Sequence, residues 1–494
     1  MHIIFPEIAL LIGAILMLVF NFSSLKFNEA EGDLYARKSY IFSLIFVFFA
    51  VFAAGYNFID GYDLEAFAGM FEANRFTDLI KIFILLFLLA TLAVSYKFAK
   101  QNRKIIGEFY ALLMLAAIGC MLLICSNNFL SFYVALELQS LSLYLLAACD
   151  KKSKYSSEAG LKYFILGSLA SALILFGISL IYGFSGSIYF DEIAGVASAN
   201  SALSNPALLL GVILVTIGLL FKISAAPFHM WVVDVYHGAP LIVTNFFAGV
   251  VKFISVMFLA FLYLDFVNIW PNITQVLVLV AVLSLIFGSV AGVGQTNIKR
   301  LMAYSSISHI GFVLIAIIVS NVESFMAVTL YMIIYGSLSV GFFAFLSMIT
   351  SPAAGRKKDI DEENDKIFNI YYLAGIARSN PLIAACVAVF MFSMAGVPPL
   401  AGFFAKFHVL VAAVNQGFII LPIIAVICAA ISAFYYLRIV KIIYFDEIKD
   451  GGVIVEKSIA GNIVLFLAAL FNLVLIFLIT PFMALINDAV SSIM

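Results

Sequence analysis

Four ionisable residues stand inside long apolar runs of this 494-residue chain: Glu137, Lys222, Lys252 and Lys406. An ionised side chain at mid-bilayer costs roughly 2.5–3.5 kcal/mol, so each needs a partner, water or a task. A lysine withdrawn from water can give up its proton, and a nearby carboxylate opposes that loss. Such a pair is chemistry for moving protons, with Glu137 setting the charge of Lys222. It is equally the chemistry of a static ion pair between helices, and those two residues alone fit either. Lys252 and Lys406 have no further intramembrane acid to pair with, and this favours a proton path.

Two helix breaks accompany the lysines. Pro227 follows Lys222 in Phe221-Lys222-Ile223-Ser224-Ala225-Ala226-Pro227-Phe228-His229-Met230-Trp231, and Pro398 and Pro399 precede Lys406. Proline removes a backbone donor and clashes one turn back. In a membrane, broken backbone survives only where protein or water satisfies it, and discontinuous helices in two corresponding places mark ion sites in transporters. Further polar groups extend the set: His229 beyond the first break, and Tyr304 and His309 within Tyr304-Ser305-Ser306-Ile307-Ser308-His309. His2, His237 and His408 read as structural, and Lys162 as an anchor whose stem lies along apolar surface.

These residues must be positioned by membrane helices. The chain is 64% hydrophobic and 11% charged, with mean hydropathy +1.13, against about 25% charge in soluble domains. Continuous runs of roughly 20 apolar residues exclude a β-barrel. Hydropathy divides the chain into fourteen expected spans: 3–20, 39–59, 78–98, 108–125, 129–149, 160–183, 206–236, 241–264, 271–294, 298–320, 323–349, 379–412, 420–445 and 458–480. The seventh and twelfth are too long for one straight crossing and hold the prolines. They lie five spans apart, so spans 4–8 and 9–13 would form two inverted five-helix units, each with its broken helix fourth. The resulting division is 1–107 for helices 1–3, 108–264 and 265–445 for the two units, and 446–494 for helix 14.

Basic residues orient the spans. The loops after spans 1, 3, 5, 9, 11 and 13 carry Lys26 to Lys38, Lys97 to Lys104, Lys151 to Lys162, Lys299 and Arg300, Arg356 to Arg378, and Arg438 to Lys457. The opposite side carries only Arg75 and Lys81, which makes the lysine-rich side cytoplasmic and puts both termini outside. Lys222, Lys252 and Lys406 belong to no loop. Glu7, Asp78 and Asp234 fall near span ends, where water is expected to reach them. The polar stretch 351–378, with its acidic run Asp359 to Asp365, reads as a solvated loop. The first apolar run reads as a retained span, without a basic leader or cleavage site.

Other chemistry finds no support. Net charge is −1, so no basic field suggests nucleic acid. Cys120, Cys125, Cys149, Cys386 and Cys428 lack CxxC, haem or iron–sulfur spacing. No phosphate-binding or dinucleotide fingerprint is present, and neither cofactor nor metal is expected. A proton or cation translocator and a purely structural membrane subunit remain.

Lys222 to Trp231, Arg300 to His309, Leu136-Glu137-Leu138-Gln139-Ser140-Leu141-Ser142-Leu143-Tyr144 and Val397 to Phe407 resemble the antiporter-like subunits of respiratory complex I and the related multisubunit sodium/proton antiporters. The resemblance runs from about span 2 to span 14, and Phe5-Pro6-Glu7-Ile8 fits it too. It points to the branch that carries lysine, not glutamate, at position 406 and lacks a long C-terminal amphipathic helix. It implies fourteen helices in two inverted repeats, in a bacterial inner membrane. It also implies one proton translocated per subunit, coupled to quinone reduction elsewhere, with the chain itself doing no redox chemistry. Glu137 would modulate Lys222, Lys252 would connect the halves, and Lys406 would end the second half-channel, with His229, Lys299, Tyr304 and His309 on the polar axis. Partners would be other membrane-arm subunits and lipid, with quinone bound by other subunits. Some sodium/proton antiporter subunits have histidine where Lys252 stands, so sodium is less favoured.

Overall fold

The computed structural model describes residues 2–24, 29–101, 106–199, 206–266, 271–350, 361, 365, 367–447 and 453–493. Its first elements are α1 (Phe5–Ser24), α2 (Glu29–Asp60), a hairpin of β1 (Leu64–Ala66) and β2 (Phe71–Ala73), α3 (Arg75–Ala93) and α4 (Tyr96–Gln101). There follow α5 (Ile106–Ile124), α6 (Phe129–Ala147), α7 (Lys154–Ser185), α8 (Phe190–Ala199), α9 (Pro206–Lys222), α10 (Met230–Gly238), α11 (Leu241–Phe246), a π turn at Phe247–Val251 and α12 (Lys252–Phe266). The remainder is α13 (Pro271–Val293), α14 (Ile298–Val319), α15 (Val322–Ser347), β3 (Ile349–Thr350), α16 (Ile376–Ser379), α17 (Pro381–Ala395), α18 (Ala401–Asn415), α19 (Ile420–Phe445), β4 (Ile454–Val455), α20 (Ile459–Val474) and α21 (Ile479–Val490).

Among the described residues, 11 helices are long and apolar enough to cross a membrane, or up to 12 if the bent pair α20–α21 is one span. The protein is a multi-span helical membrane protein. The two long prolyl segments are split, as their length demanded: α9 stops at Lys222 and α10 starts at Met230, while α17 stops at Ala395 and α18 starts at Ala401. Ala226–Pro227 and Pro398–Pro399 are cis.

The helices sort by burial. α14 and α15 are almost wholly enclosed, whereas α2 and α7 present most of their length outward. An outer helix can be apolar all round because lipid accepts its exposed face. Small residues let the inner helices approach closely. A Cβ on Gly288 of α13 would sit 2.3 Å from the Ser308 amide of α14, and one on Gly119 of α5 would sit 2.6 Å from the Gln139 amide of α6.

Three expectations are corrected. The stretch 351–378 is not simply a solvated loop. Its residues 351–360, 362–364 and 366, with Arg356, Lys357, Lys358 and Lys366, lie outside the described residues, as do Lys26, Arg103, Lys104 and Lys449. Asp361, however, is buried and accepts from Ser153 Oγ at 2.5 Å and from the Lys154 amide at 2.9 Å, at the start of α7. A carboxylate is favoured where a helix begins with unpaired amides. Asp365 takes the Tyr155 hydroxyl at 3.1 Å and His237 Nε2 at 2.9 Å.

Second, the last span does not run straight from 458 to 480. It bends by 96° into α21, which lays Ile486, Ala489 and Val490 against the protein and leaves Asn487 and Asp488 exposed. Pro481 falls in the first turn of α21, where no amide donor is needed. Third, Glu7, Asp78 and Lys81 are buried, not wet: none exceeds 4% exposure.

Candidate functional site

Lys222 is the last residue of α9, and its Nζ donates to Ser140 Oγ of α6 at 2.6 Å. Glu137 lies one turn earlier on α6. It makes no ion pair within 4.0 Å among the described residues, and its Oε1 is buried without a hydrogen-bond partner. Ser140, not Glu137, therefore makes the contact with Lys222. Lys252 opens α12 directly after the π turn and donates to Ser306 Oγ of α14. π turns widen a helix locally and recur at functional sites.

Lys406 lies on α18, beyond the second break, and reaches back across it. Its Nζ bonds the carbonyls of Met394 and Ala395 at 2.9 and 3.0 Å, at the end of α17. Lys299 does the same at the end of α10, donating to the carbonyls of His237 and Ala239 at 2.7 and 2.8 Å. The last carbonyls of a helix lack amide partners and carry the negative end of its dipole, so a lysine there satisfies both.

The four lysines share one type of cradle. Each has neutral acceptors only, and each ammonium also lies over an aromatic ring: Tyr144 at 5.7 Å for Lys222, Tyr236 at 5.5 Å for Lys252, Phe368 at 5.2 Å for Lys299 and Phe312 at 5.1 Å for Lys406. Cation–π contact is worth about 0.5–2 kcal/mol. No carboxylate lies within 4.0 Å of any of them among the described residues.

α14 ties the row together. It carries Lys299, then Ser306 against Lys252, then His309, then Phe312 under Lys406. His309 Nδ1 meets the Tyr331 hydroxyl at 2.7 Å and Nε2 meets the Tyr436 hydroxyl at 3.1 Å, which itself lies 2.5 Å from Ser305 Oγ. Burial with two hydroxyl partners makes His309 the best-connected histidine. Two expected members do not join. Tyr304 is half-buried and makes no side-chain hydrogen bond among the described residues. His229 stands in the first break with Nδ1 unpartnered and its ring 5.6 Å from Phe287, and no helix places it under Lys222.

The breaks are satisfied by protein. Trp231 Nε1 donates to the Phe221 carbonyl at 2.9 Å, and the Ala226 amide donates to Ser284 Oγ at 2.8 Å. In the second break the Gly402 amide donates to Ser393 Oγ at 3.0 Å. Pro227, Pro398 and Pro399 themselves are exposed. At the Lys299 end, Lys162 is more than an anchor: it pairs with Glu158 and Asp234, each at 2.7 Å, and Arg300 lies 3.7 Å from Asp234.

Sequence reasoning missed Ser140, Ser306, Tyr331 and Tyr436 as partners, and counted Lys81 among the basic residues of the outer side, not as a buried cation. The last was findable. Asn74 and Thr77 form a capping box that starts α3 at Arg75, which places Lys81 nearly two turns inside the helix.

Fold and site define a polytopic helical membrane protein with two broken helices and a buried row of lysines held by neutral groups. The chain belongs to the NADH:quinone oxidoreductase/Mrp antiporter transmembrane family, whose model matches residues 126–432. It is 42% identical to the NADH-quinone oxidoreductase subunit N of Parvibaculum lavamentivorans over 90% of this chain and 88% of that protein. To the subunit N of Rhodospirillum rubrum it is 44% identical over 78% and 77%. Among solved structures, a chain of respiratory complex I from Thermus thermophilus superposes with TM-score 0.78 and 28% identity, covering 97% of this chain and 98% of that one. A chain of the Mrp complex from Dietzia superposes with TM-score 0.84 at 18% identity, over 100% and 97%, a likeness of fold.

Proposed function

We propose that this chain serves as a subunit N of a bacterial NADH-quinone oxidoreductase, and that protons cross it along Glu137, Lys222, Lys252 and Lys406. The relatives' names support the assignment. The observation that carries the path is the neutral cradle around each lysine. An ammonium bound to a serine hydroxyl or a carbonyl can lose its proton without stranding an anion, and the neutral amine still has a bonding partner. Glu137, one turn before Ser140 on α6, modulates Lys222, Lys252 joins the halves at the π turn, and Lys406 ends the row. Lys299 and His309 serve on the same axis, and His229 and Tyr304 at its margins. The buried hydroxyl of Tyr236 and the amide of Asn245, both without protein partners among the described residues, are groups that bridging water can use.

In this reading the broken helices are the fourth members of two inverted five-helix units, 108–264 and 265–445. Counting each broken or bent pair as one crossing gives fourteen spans. Residues 1–107 and 446–494 flank the units. Both termini face outward from the inner membrane, quinone and redox cofactors belong to other subunits, and this chain supplies only the path. The test is Lys222→Ala in the assembled complex. Loss of pumping with quinone reduction retained is the expected outcome, and normal pumping per electron refutes the path. Copurification with redox subunits is expected too; copurification with membrane antiporter subunits alone would reassign the chain to a sodium/proton antiporter.

A further inference from the structure

A second buried ionic group lies away from the lysine row, where α1, α3 and the end of α5 meet under the β1–β2 hairpin. Lys81 of α3 is fully enclosed. Its Nζ lies 2.8 Å from Glu7 Oε1 of α1 and 3.9 Å from Asp78 Oδ1, one turn back on α3. Glu7 and Asp78 are 4% and 3% exposed. The ring of Phe71, from the hairpin, covers the ammonium at 5.0 Å. Among the described residues, the other titratable group facing the cluster is the Cys125 thiol. Further along α3, Phe83 and Phe87 pack on Phe253, the residue after Lys252.

The cluster does not balance if fully ionised. It holds two carboxylates and one ammonium, and among the described residues no second cation lies within 4.0 Å of either acid. Glu7 takes the close contact. Asp78 Oδ1 and Glu7 Oε2 are buried and unpartnered by hydrogen bonds. The start of α3 offers Asp78 no amide: the Thr77 amide goes to Asn74 Oδ1, the Phe76 amide to Ser492 Oγ and the Asp78 amide to the Asn74 carbonyl. A buried charge without partner neutralises itself where it can.

We propose that the Glu7–Asp78–Lys81 cluster takes up one proton at mildly acidic pH, carried by Asp78 as the neutral acid, and so forms a proton-holding site of the N-terminal helices separate from the lysine row. A proton from hydronium joins one Asp78 carboxylate oxygen: one O–H bond forms there, one breaks on the hydronium, and water is left. This stands independently of the proposed transport path.

Infrared spectra of the intact complex in membranes test it, because a protonated carboxyl has its own C=O stretch. One ammonium neutralises one carboxylate, and this count fixes the pattern. At mildly acidic pH, Asp78→Asn removes one such band. Glu7→Gln also removes one, since Lys81 then pairs with Asp78 and keeps it ionised. Lys81→Met adds one, since Glu7 loses its counter-ion. The two amide variants preserve shape, and their spectra alone decide the matter should Lys81→Met fail to assemble. An unchanged acid C=O region in both Asp78→Asn and Glu7→Gln overturns the proposal, for then both acids are ionised, as in a static ion pair or a bound metal cation.

Discussion

A lysine that must change charge needs partners that tolerate both forms, and Ser140, Ser306 and the carbonyls at the ends of α10 and α17 are such partners. Lys81, beside two carboxylates, is the contrasting case. Ser140→Ala isolates this idea, because it removes the hydrogen bond at Lys222 and leaves Glu137 in place. A bond to a charged group contributes about 1.5–3 kcal/mol, so the charged form of Lys222 is expected to lose that support. Pumping per electron should fall while quinone reduction and assembly persist, as measured in proteoliposomes. The lysines were legible in the sequence because no loop could claim them. Their partners were not, because serines abound in these helices and only the crossing of α6 with α9, or of α12 with α14, selects one. Lys81 was assigned to a loop on the premise that span ends are wet. The hairpin that roofs it comes from the short stretch Leu64 to Ala73, whose packing no periodicity announces.

At the scale of elements, the breaks are held open by specific donors and by close approach. Gly402 begins α18 so tightly against α17 that a Cβ would lie 1.9 Å from the Ser393 carbonyl oxygen. Gly402→Ala must therefore move the half-helix that carries Lys406. Overpacking of this kind costs about 1–3 kcal/mol or more, and thermal unfolding of the complex should register it together with a loss of pumping. Gly294→Ala is the matched control, since nothing lies within 4 Å of its added Cβ and no measurable change is expected. The prolines made both breaks readable from sequence alone. The π turn before Lys252 was not readable, since Phe247–Val251 holds no proline and its widening depends on packing against α15. The bend before α21 escaped for a similar reason: its apolar residues satisfy a length criterion whether they cross the bilayer or lie along its edge.

At the scale of the molecule, basic loops predict which end faces the cytoplasm, and α21 lies at the other end. The native cysteines give little background, since all five are buried or nearly so. In right-side-out vesicles an impermeant thiol reagent should label Asp488→Cys directly and Lys151→Cys only after permeabilisation; the reverse pattern inverts the topology. The two proposed units would be joined at α14 and α15 and again where Asp361 and Asp365, beyond α15, grip α7 and α10. Lys252 sits at that join, bonded from α12 to α14. Its replacement therefore bears most directly on whether protons traverse the row. The measurement is the number of protons pumped per electron by the intact, reconstituted complex carrying Lys252→Met. A lower ratio, with quinone reduction continuing, is what a continuous path requires. An unchanged ratio in a fully assembled complex would show that protons do not pass through Lys252.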